Sequence, residues 1–177
     1  MALLIGFSLD QQVPVQKAFF GPLDLKRRVG TLDPRRLAEM DGEQLAGVFR
    51  QRPALHRYPA AMAERVQALA RHVVERYGGD AGRIWGEASD GRDLKARLAA
   101  LPGFGEMKVA GILAVLGKRL GVQPPGWEEV APGYPTLGDV DSPEALADYQ
   151  AKKRAYKATL RASGERFDPR ARPRAGS

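Results

Sequence analysis

The run Leu-Pro-Gly-Phe-Gly at residues 101–105 combines residue types that could bind an anion. It lies between two stretches with apolar residues at helical spacing, so it predicts a helix that ends, a tight turn and a second helix that begins at once. Gly103 and Gly105 can adopt backbone angles closed to other residues and leave room for a close partner. The first N–H groups of the second helix lack intrahelical acceptors, so the turn presents hydrogen-bond donors to an anion.

The positive charge of the chain is concentrated near its C-terminal end. The formal net charge is +7, with 28 Lys and Arg residues against 21 Asp and Glu residues. Residues 152–177 hold nine of the basic residues and two of the acidic ones, so the remaining 19 of each kind cancel over residues 1–151. Such a block suits a polyanion, and a nucleic-acid phosphate is the anion that we expect at the glycine turn. The alternative is a solvated tail that keeps the protein soluble.

The composition excludes or disfavours several kinds of site. The sequence has no cysteine, which removes disulfides, cysteine-ligated zinc and an iron–sulfur cluster. His56 and His72 are too few for a histidine metal site unless carboxylates supply most ligands. No apolar run approaches the roughly 20 residues of a membrane span, and the N-terminal segment has no basic leader. We expect a cytoplasmic, monomeric protein with no cofactor, no metal held by side chains and no membrane partner.

All regular structure predicted from the sequence is helical. Apolar spacing predicts helices over residues 3–12, 14–29, 34–40, 43–50, 60–77, 91–100, from the glycine turn to about 121, and from 143 to about 162. The predicted N-caps are Asp33, Asp41, Asp90 and Ser142. We expect an interruption of the second helix near Gly21 and Pro22, and an irregular loop over residues 123–138. The fold class is therefore all-α, with one helical domain over 1–163 and a basic, disordered tail over 164–177.

Three segments carry a resemblance to a known family. Residues 5–13 read Ile-Gly-Phe-Ser-Leu-Asp-Gln-Gln-Val, Arg65 opens a helical run at residues 65–70, and the glycine turn follows about 35 residues later. In this order they resemble the helix-hairpin-helix DNA glycosylase superfamily, the group of endonuclease III and of the adenine, alkyladenine and oxoguanine glycosylases. The resemblance covers roughly residues 3–160. It is closest to a small bacterial subgroup that lacks an iron–sulfur cluster.

The resemblance implies a two-lobed helical fold with a cleft between the lobes, and a base excision repair protein that acts on damaged duplex DNA in the cytoplasm, at the nucleoid. It also implies which residues contact DNA, and where a monovalent cation would sit on the hairpin carbonyls of Leu101 and Gly103. The expected DNA-binding residues are Gln11, Gln12, Leu101, Gly103, Phe104, Gly105 and Lys108. Gln12, with Gln11, would fill the gap left by a flipped base. Alternatively, the two glutamines cap or bridge buried backbone groups.

One departure from the family pattern concerns lyase chemistry. The bifunctional members have a catalytic lysine at the second residue after the last glycine of the hairpin, and this position is Met107 here. Lys108 lies one residue later, about 100° further around the helix. Because Schiff-base chemistry needs an amine at the reaction centre, we expect no strong lyase activity.

The other departure concerns the catalytic aspartate of the family. Ungapped counting places its position at residues 124–126, which read Pro-Pro-Gly. Glu128 and Glu129 follow, beside Trp127; alternatively, Asp139 or Asp141 serves, at the start of the last helix. We prefer Asp141 or Asp139 as catalytic residues, since this choice keeps the local architecture of the family; an ordinary acid at a helix start is the alternative.

The expected base pocket includes Met107, Trp127 and Tyr58, while His56 either faces the cleft or is a partly buried spacer. Two main hypotheses follow. The first is a monofunctional DNA glycosylase that hydrolyses the N-glycosidic bond of a damaged base. The second is a catalytically inactive module of the same type that binds distorted or damaged DNA. A helical interaction domain without a DNA role is a third, plainer alternative.

Overall fold

The computed structural model describes residues 1–164, and every regular element in that range is helical, which confirms the all-α class. The elements are α1 (Ala2–Leu9), α2 (Val15–Val29), α3 (Pro34–Glu39), α4 (Gly42–Arg50), α5 (Pro59–Tyr77), α6 (Arg83–Gly86), α7 (Gly91–Ala99), α8 (Glu106–Leu120), α9 (Trp127–Val130), a 3-10 helix (Leu137–Asp139) and α10 (Pro143–Ser163). Apart from Gly164, the predicted tail lies outside the described residues.

The chain divides into two compact units. Unit 1 consists of Met1–Glu87 and Ala100–Phe104, and unit 2 consists of Ala88–Ala99 and the chain from Gly105 onward. In unit 1, α1 packs along α2, α5 packs on α3 and α4, and α1 also contacts α5. Apolar side chains from these helices form one core. Its members include Ile5, Leu9, Leu25, Leu37, Leu45, Phe49, Met62 and Val66.

The N-terminal helix pair of unit 1 differs from the prediction at one point. α2 is continuous from Val15 to Val29 with Pro22 inside it, so the predicted interruption near Gly21 and Pro22 is wrong. A Cβ atom added at Gly21 would lie 2.5 Å from Cδ1 of Leu9, which shows how closely α1 and α2 approach. Burial of this contact stabilises the helical path, although the proline ring removes one backbone hydrogen bond.

Side-chain caps define where several helices begin. Asp33, Asp41, Asp90 and Ser142 each accept a hydrogen bond from a backbone N–H two or three residues later, over 2.7–3.1 Å. Each cap satisfies one of the N–H groups that a helix start leaves unpaired. The four predicted caps are confirmed.

In unit 2, α7 packs on α8 and α9, while the 3-10 helix contacts α8 and α10. The segment 123–138 is less irregular than expected, because α9 forms inside it and the 3-10 helix begins at Leu137. α9 is held in place by its first residue: the Trp127 indole N–H donates to the Leu113 carbonyl at 3.2 Å. A single buried aromatic residue thus orders a segment whose proline and glycine content predicts a loop.

Candidate nucleic-acid interface

The glycine turn joins two helices, as its sequence predicts, but only one of its two glycines has backbone angles closed to other residues. α7 ends at Ala99 and α8 begins at Glu106, so the turn occupies residues 100–105. Gly103 has φ 77°, in the left-handed region, whereas Gly105 is extended, with φ −82° and ψ 175°. Leu101 and Phe104 are 2% and 6% exposed, so their side chains anchor the turn from inside and cannot themselves contact a strand. The expected role of these two residues in DNA binding is therefore limited to their backbone atoms.

The outer side of the turn is open to a close partner. A Cβ atom added at Gly105 would meet no described atom within 4 Å, and one added at Gly103 would meet only Cδ of Arg65, at 3.9 Å. The Gly105 carbonyl already accepts the N–H groups of Lys108 and Val109, at 2.9 and 3.1 Å. The Leu101 carbonyl, one of the two expected cation ligands, accepts the N–H of Phe104 at 3.1 Å.

The glutamine pair lies in the link between α1 and α2. Gln11 Oε1 accepts a hydrogen bond from the Arg65 guanidinium of α5. Gln12 is exposed and has φ 56°, the only positive φ among the described residues other than glycine. Its Oε1 accepts a hydrogen bond from the Tyr58 hydroxyl at 3.2 Å. Left-handed backbone costs an ordinary residue about 1–2 kcal/mol, so the surrounding contacts must hold Gln12 in this conformation.

His56 lies beneath this link and is fully buried. Its Nδ1 accepts the backbone N–H of Tyr58 at 3.1 Å, and its Nε2 lies 2.9 Å from the Gln11 carbonyl. Since a backbone N–H can only donate, Nδ1 carries no proton and Nε2 is the donor to Gln11. His56 is therefore neither cleft-facing nor a partly buried spacer: it connects the Tyr58 loop to the glutamine pair.

The surroundings of His56 favour its neutral ring. Burial is the largest influence and lowers its pKa below the ordinary 6.5, and the positive charges of Lys17 and Arg57 act in the same direction. The carbonyl groups of Gln11 and Leu9 act against this shift but do not reverse it.

Arg65 joins the segments that carry the family resemblance. Its guanidinium binds Gln11, and its Cδ is the nearest described side-chain atom to the open side of Gly103. Among the described residues, no carboxylate forms an ion pair with Arg65. A half-buried cation without a carboxylate partner therefore lies beside the hairpin, within unit 1.

Tyr58 lies at the surface and is 42% exposed. The guanidinium carbon of Arg57 lies 4.8 Å from the centre of its ring, within cation–π distance. Tyr58 thus presents a partly exposed ring with Arg57 over one face, and Gln12 presents an amide, at neighbouring points of unit 1. In the sequence alone, nothing signals that these two residues are paired.

The first turn of α8 belongs to unit 2. Met107 is exposed at the second position of the helix, and Lys108 is partly exposed beside it. Glu106 is an exposed acid in the same turn. The helix start therefore offers backbone donors next to side chains of mixed charge.

Asp139 has both carboxylate oxygens engaged. One accepts from Lys118 Nζ at 2.6 Å, and the other from the backbone N–H and hydroxyl of Thr136, at 2.7 and 3.1 Å. Partial burial is the largest single influence and would raise its pKa, but the hydrogen bonds from Lys118 and Thr136 together lower it. Asp139 also lines a pocket of about 460 Å³, together with Lys118, Tyr134 and Tyr149. It is thus an ionised, well-anchored carboxylate at the edge of a pocket.

Asp141 is more exposed than Asp139 and less constrained. Its side chain is 68% exposed, and its nearest cation is Arg119, at 3.9 Å. Neither aspartate caps the last helix, contrary to the analogy with the family, because Ser142 occupies the N-cap position of α10. Asp139 instead forms a capping box with Thr136 in the 3-10 helix.

Trp127 is buried and is therefore not available to stack on a base, contrary to the expectation from the sequence. It is 7% exposed, and its indole lies so close to Gly117 that an added Cβ would come within 2.1 Å of the ring. The adjacent Glu129 forms an ion pair with Arg92 at 3.0 Å, and Glu128 is exposed. The indole is a packing residue of unit 2, so the expectation that it lines a base pocket is corrected.

Two further observations concern binding of other kinds. Over residues 1–164, no group of three or more His, Asp or Glu side chains could hold a metal ion. In the same range, no helix is both long and apolar enough to cross a membrane.

Comparison of the chain with family models, with curated proteins and with solved structures gave no match. Within unit 1, Arg65 and Tyr58 each bind one residue of the glutamine pair.

Proposed function

We propose that this protein binds DNA at damaged or distorted sites, as a base excision repair protein of the helix-hairpin-helix glycosylase type. The observation that carries the proposal is the position of Arg65, which binds Gln11 and lies against Gly103. Arg65 is a residue of α5, and its side chain connects this helix with the glutamine pair and with the hairpin. These are the three segments in which the sequence resembles the superfamily.

The hairpin is suited to a phosphate group. Gly103 and Gly105 leave the backbone open. At the start of α8, the N–H groups of Glu106 and Met107 come before the first ones that the Gly105 carbonyl accepts, those of Lys108 and Val109, and so can be offered to an anion. Within unit 1, the guanidinium of Arg65 lies on the side of Gly103 and is a cation that no described carboxylate neutralises. In unit 2, the acid Glu106 lies in the first turn of α8, so we expect the backbone donors there, rather than net charge, to make the phosphate contact.

The Gln12–Tyr58 pair is suited to the gap that a displaced nucleotide leaves. An amide can replace the hydrogen bonds of a missing base, and an aromatic ring can stack on an exposed base pair. The pair is held in place before DNA arrives, because Tyr58 binds Gln12 and the Gln12 backbone is already in an unusual conformation. Preorganisation of this kind reduces the entropy lost on binding.

The second candidate function is hydrolysis of the N-glycosidic bond of a damaged base. The pocket beside Asp139 and the low pKa of this carboxylate favour it, because an ionised carboxylate can stabilise the positive charge that develops on the sugar. Both oxygens of Asp139 are engaged by Lys118 and Thr136, whereas Asp141 is 68% exposed and lies 3.9 Å from Arg119, so Asp141 is the better choice to activate water. Met107 in place of the family lysine supports a monofunctional reaction rather than a lyase reaction.

The test of DNA binding compares intact duplex, mismatched duplex and duplex with a stable abasic analogue across a salt series. We expect tighter binding to the abasic analogue and affinity that falls as salt rises. Arg65→Gln should weaken binding to every duplex about tenfold. Arg71→Gln removes the same charge from an exposed position of the same helix and should change affinity much less. Equal effects of the two substitutions, or no preference for the abasic analogue, would reject the proposal.

The test of catalysis uses oligonucleotides with single base lesions, followed by alkali to cleave abasic sites. Product from any lesion supports glycosylase activity, and we expect strand cleavage only after the alkali step. Binding to the abasic analogue without product from any lesion leaves the binding module as the function.

A further inference from the structure

His56 lies between the two chain segments that carry the Gln12–Tyr58 pair, which we propose to fill the gap left by a displaced nucleotide. It is fully buried, accepts a hydrogen bond from the Tyr58 backbone and lies within hydrogen-bond distance of the Gln11 carbonyl. Both ring nitrogens are satisfied in only one protonation state, the neutral ring with its proton on Nε2. The ring can therefore make both hydrogen bonds, to Gln11 and to Tyr58, only in this neutral form.

We propose that His56 is a positioning residue that holds the Gln12–Tyr58 pair in its binding conformation only while the ring is neutral, so that acidification releases the pair and weakens binding to distorted DNA. The inference rests on the proposed function, and it adds a regulatory property to the same site.

The mechanism follows from the hydrogen-bond donors. A proton on Nδ1 would face the N–H of Tyr58, and two donors cannot share a hydrogen bond, so the Tyr58 backbone must move away. The Tyr58 hydroxyl supports Gln12 in its left-handed conformation, which is unfavourable without such support. Movement of Tyr58 therefore lets Gln12 relax.

The charges around the ring determine where this transition lies. Lys17 from α2 and Arg57 from the same loop face His56 and disfavour a positive ring, while the carbonyls of Leu9 and Gln11 favour it. With burial added, the pKa lies below the ordinary 6.5. The pair is thus held at neutral pH and released in the acidic range.

A first experiment needs no DNA. Nitrogen NMR of the imidazole rings should show His56 with its proton on Nε2 at pH 7. On acidification, the backbone amide signals of Gln12 and Tyr58 should shift with the midpoint of the His56 ring, below pH 6.5. His72→Gln, at the other histidine of the chain, should leave these shifts unchanged. A proton on Nδ1 at pH 7, or Gln12 signals that do not follow the ring, would overturn the inference.

A second experiment measures affinity for the abasic duplex from pH 7.5 to pH 5 at constant salt. Wild type and His72→Gln should weaken about tenfold, the size of effect expected for loss of one supporting hydrogen bond. His56→Gln, whose amide can still donate to Gln11, should show no such change. If His56→Gln does not fold, Tyr58→Phe replaces it, because loss of the hydroxyl uncouples Gln12 from the ring and should also give a flat profile.

The outcomes separate the two proposals. Absence of DNA binding at every pH defeats the proposed function, while the NMR shifts still decide whether His56 positions Gln12. Binding with the same pH dependence in wild type and in His56→Gln defeats the positioning role and leaves the proposed function intact.

Discussion

The Tyr58 hydroxyl donates a hydrogen bond to Gln12 Oε1 over 3.2 Å, although the two residues are 46 positions apart in the sequence. Gln12 has a left-handed backbone, and Tyr58 is fixed from below by His56. Gln12 is exposed, so its left-handed backbone does not serve to pack its side chain into the core. Strain that is kept at an exposed glutamine is typical of a functional position.

We expect different substitutions at Gln12 to have different effects on stability but the same effect on DNA binding. Gln12→Gly relieves about 1 kcal/mol of backbone strain and loses one hydrogen bond of similar value, so stability should stay near that of wild type. Gln12→Ala keeps the strain and should be less stable by about 1 kcal/mol. Both should bind the abasic duplex more weakly, whereas Gln44→Ala, at an exposed position of α4, should bind it normally. Denaturant unfolding and binding titrations measure the two effects; equal stability of the Gly and Ala variants would contradict the strain argument.

The two hairpin glycines should respond differently to alanine. Gly105 has an extended backbone and open space around it, so Gly105→Ala should leave stability within about 0.5 kcal/mol of wild type. Gly103 has φ 77°, so Gly103→Ala should cost about 1 kcal/mol of stability. If DNA approaches the hairpin backbone closely, Gly105→Ala should nevertheless weaken DNA binding several-fold. Unchanged affinity for Gly105→Ala would place the phosphate contact elsewhere.

We expect substitution of Asp139 to change stability and substitution of Asp141 to change catalysis. Asp139→Asn loses the ion pair with Lys118 and should lower stability by about 1 kcal/mol at neutral pH, a value kept small because the side chain is 39% exposed. Asp141→Asn should leave stability unchanged and, if the protein is a glycosylase, should abolish base release. Thermal unfolding and the alkali-cleavage assay measure these effects. Full turnover by Asp141→Asn would reject its role in activating water.

The pH dependence of stability provides a separate measurement for Asp139. Its pKa is lower in the folded protein than its ordinary 3.8, so its contribution is present above that value and is lost as pH falls through the folded pKa. The pKa of Asp93 is also lowered, chiefly by its hydrogen bond from Arg97, so it contributes in the same range. Asp139→Asn should therefore flatten the acid limb of the stability curve without removing it. An unchanged acid limb would show that the Lys118 contact has no net effect.

Trp127 should be essential for unit 2 but not for stacking on a base. Trp127→Ala would leave a cavity over Gly117 and should cost about 3–5 kcal/mol. Trp127→Phe keeps most of the packing but loses the hydrogen bond to Leu113, and should be intermediate. Calorimetry and far-UV circular dichroism test this order. A stable Trp127→Ala variant with weakened DNA binding would instead support a surface role for the indole.

Local features of this protein could be predicted from its sequence because they depend on residues close together in the chain. The caps at Asp33 and Asp41 and the glycine turn between two helices are of this kind. The short helices α6 and α9 escaped prediction, since four residues are too few to show a helical period. The continuous path of α2 through Pro22 was not predicted, because packing on α1 outweighs the cost of one lost hydrogen bond.

The sequence by itself determined the helical class, the main helix positions and the glycine turn, because apolar spacing, caps and backbone freedom act over a few residues. Only the tertiary structure decided which side chains meet. It buried Trp127, engaged both oxygens of Asp139 and brought Arg65 and Tyr58 to the glutamine pair. Contacts between residues 46 and 54 positions apart depend on how whole helices pack, and packing is a property of the assembled core rather than of any single segment.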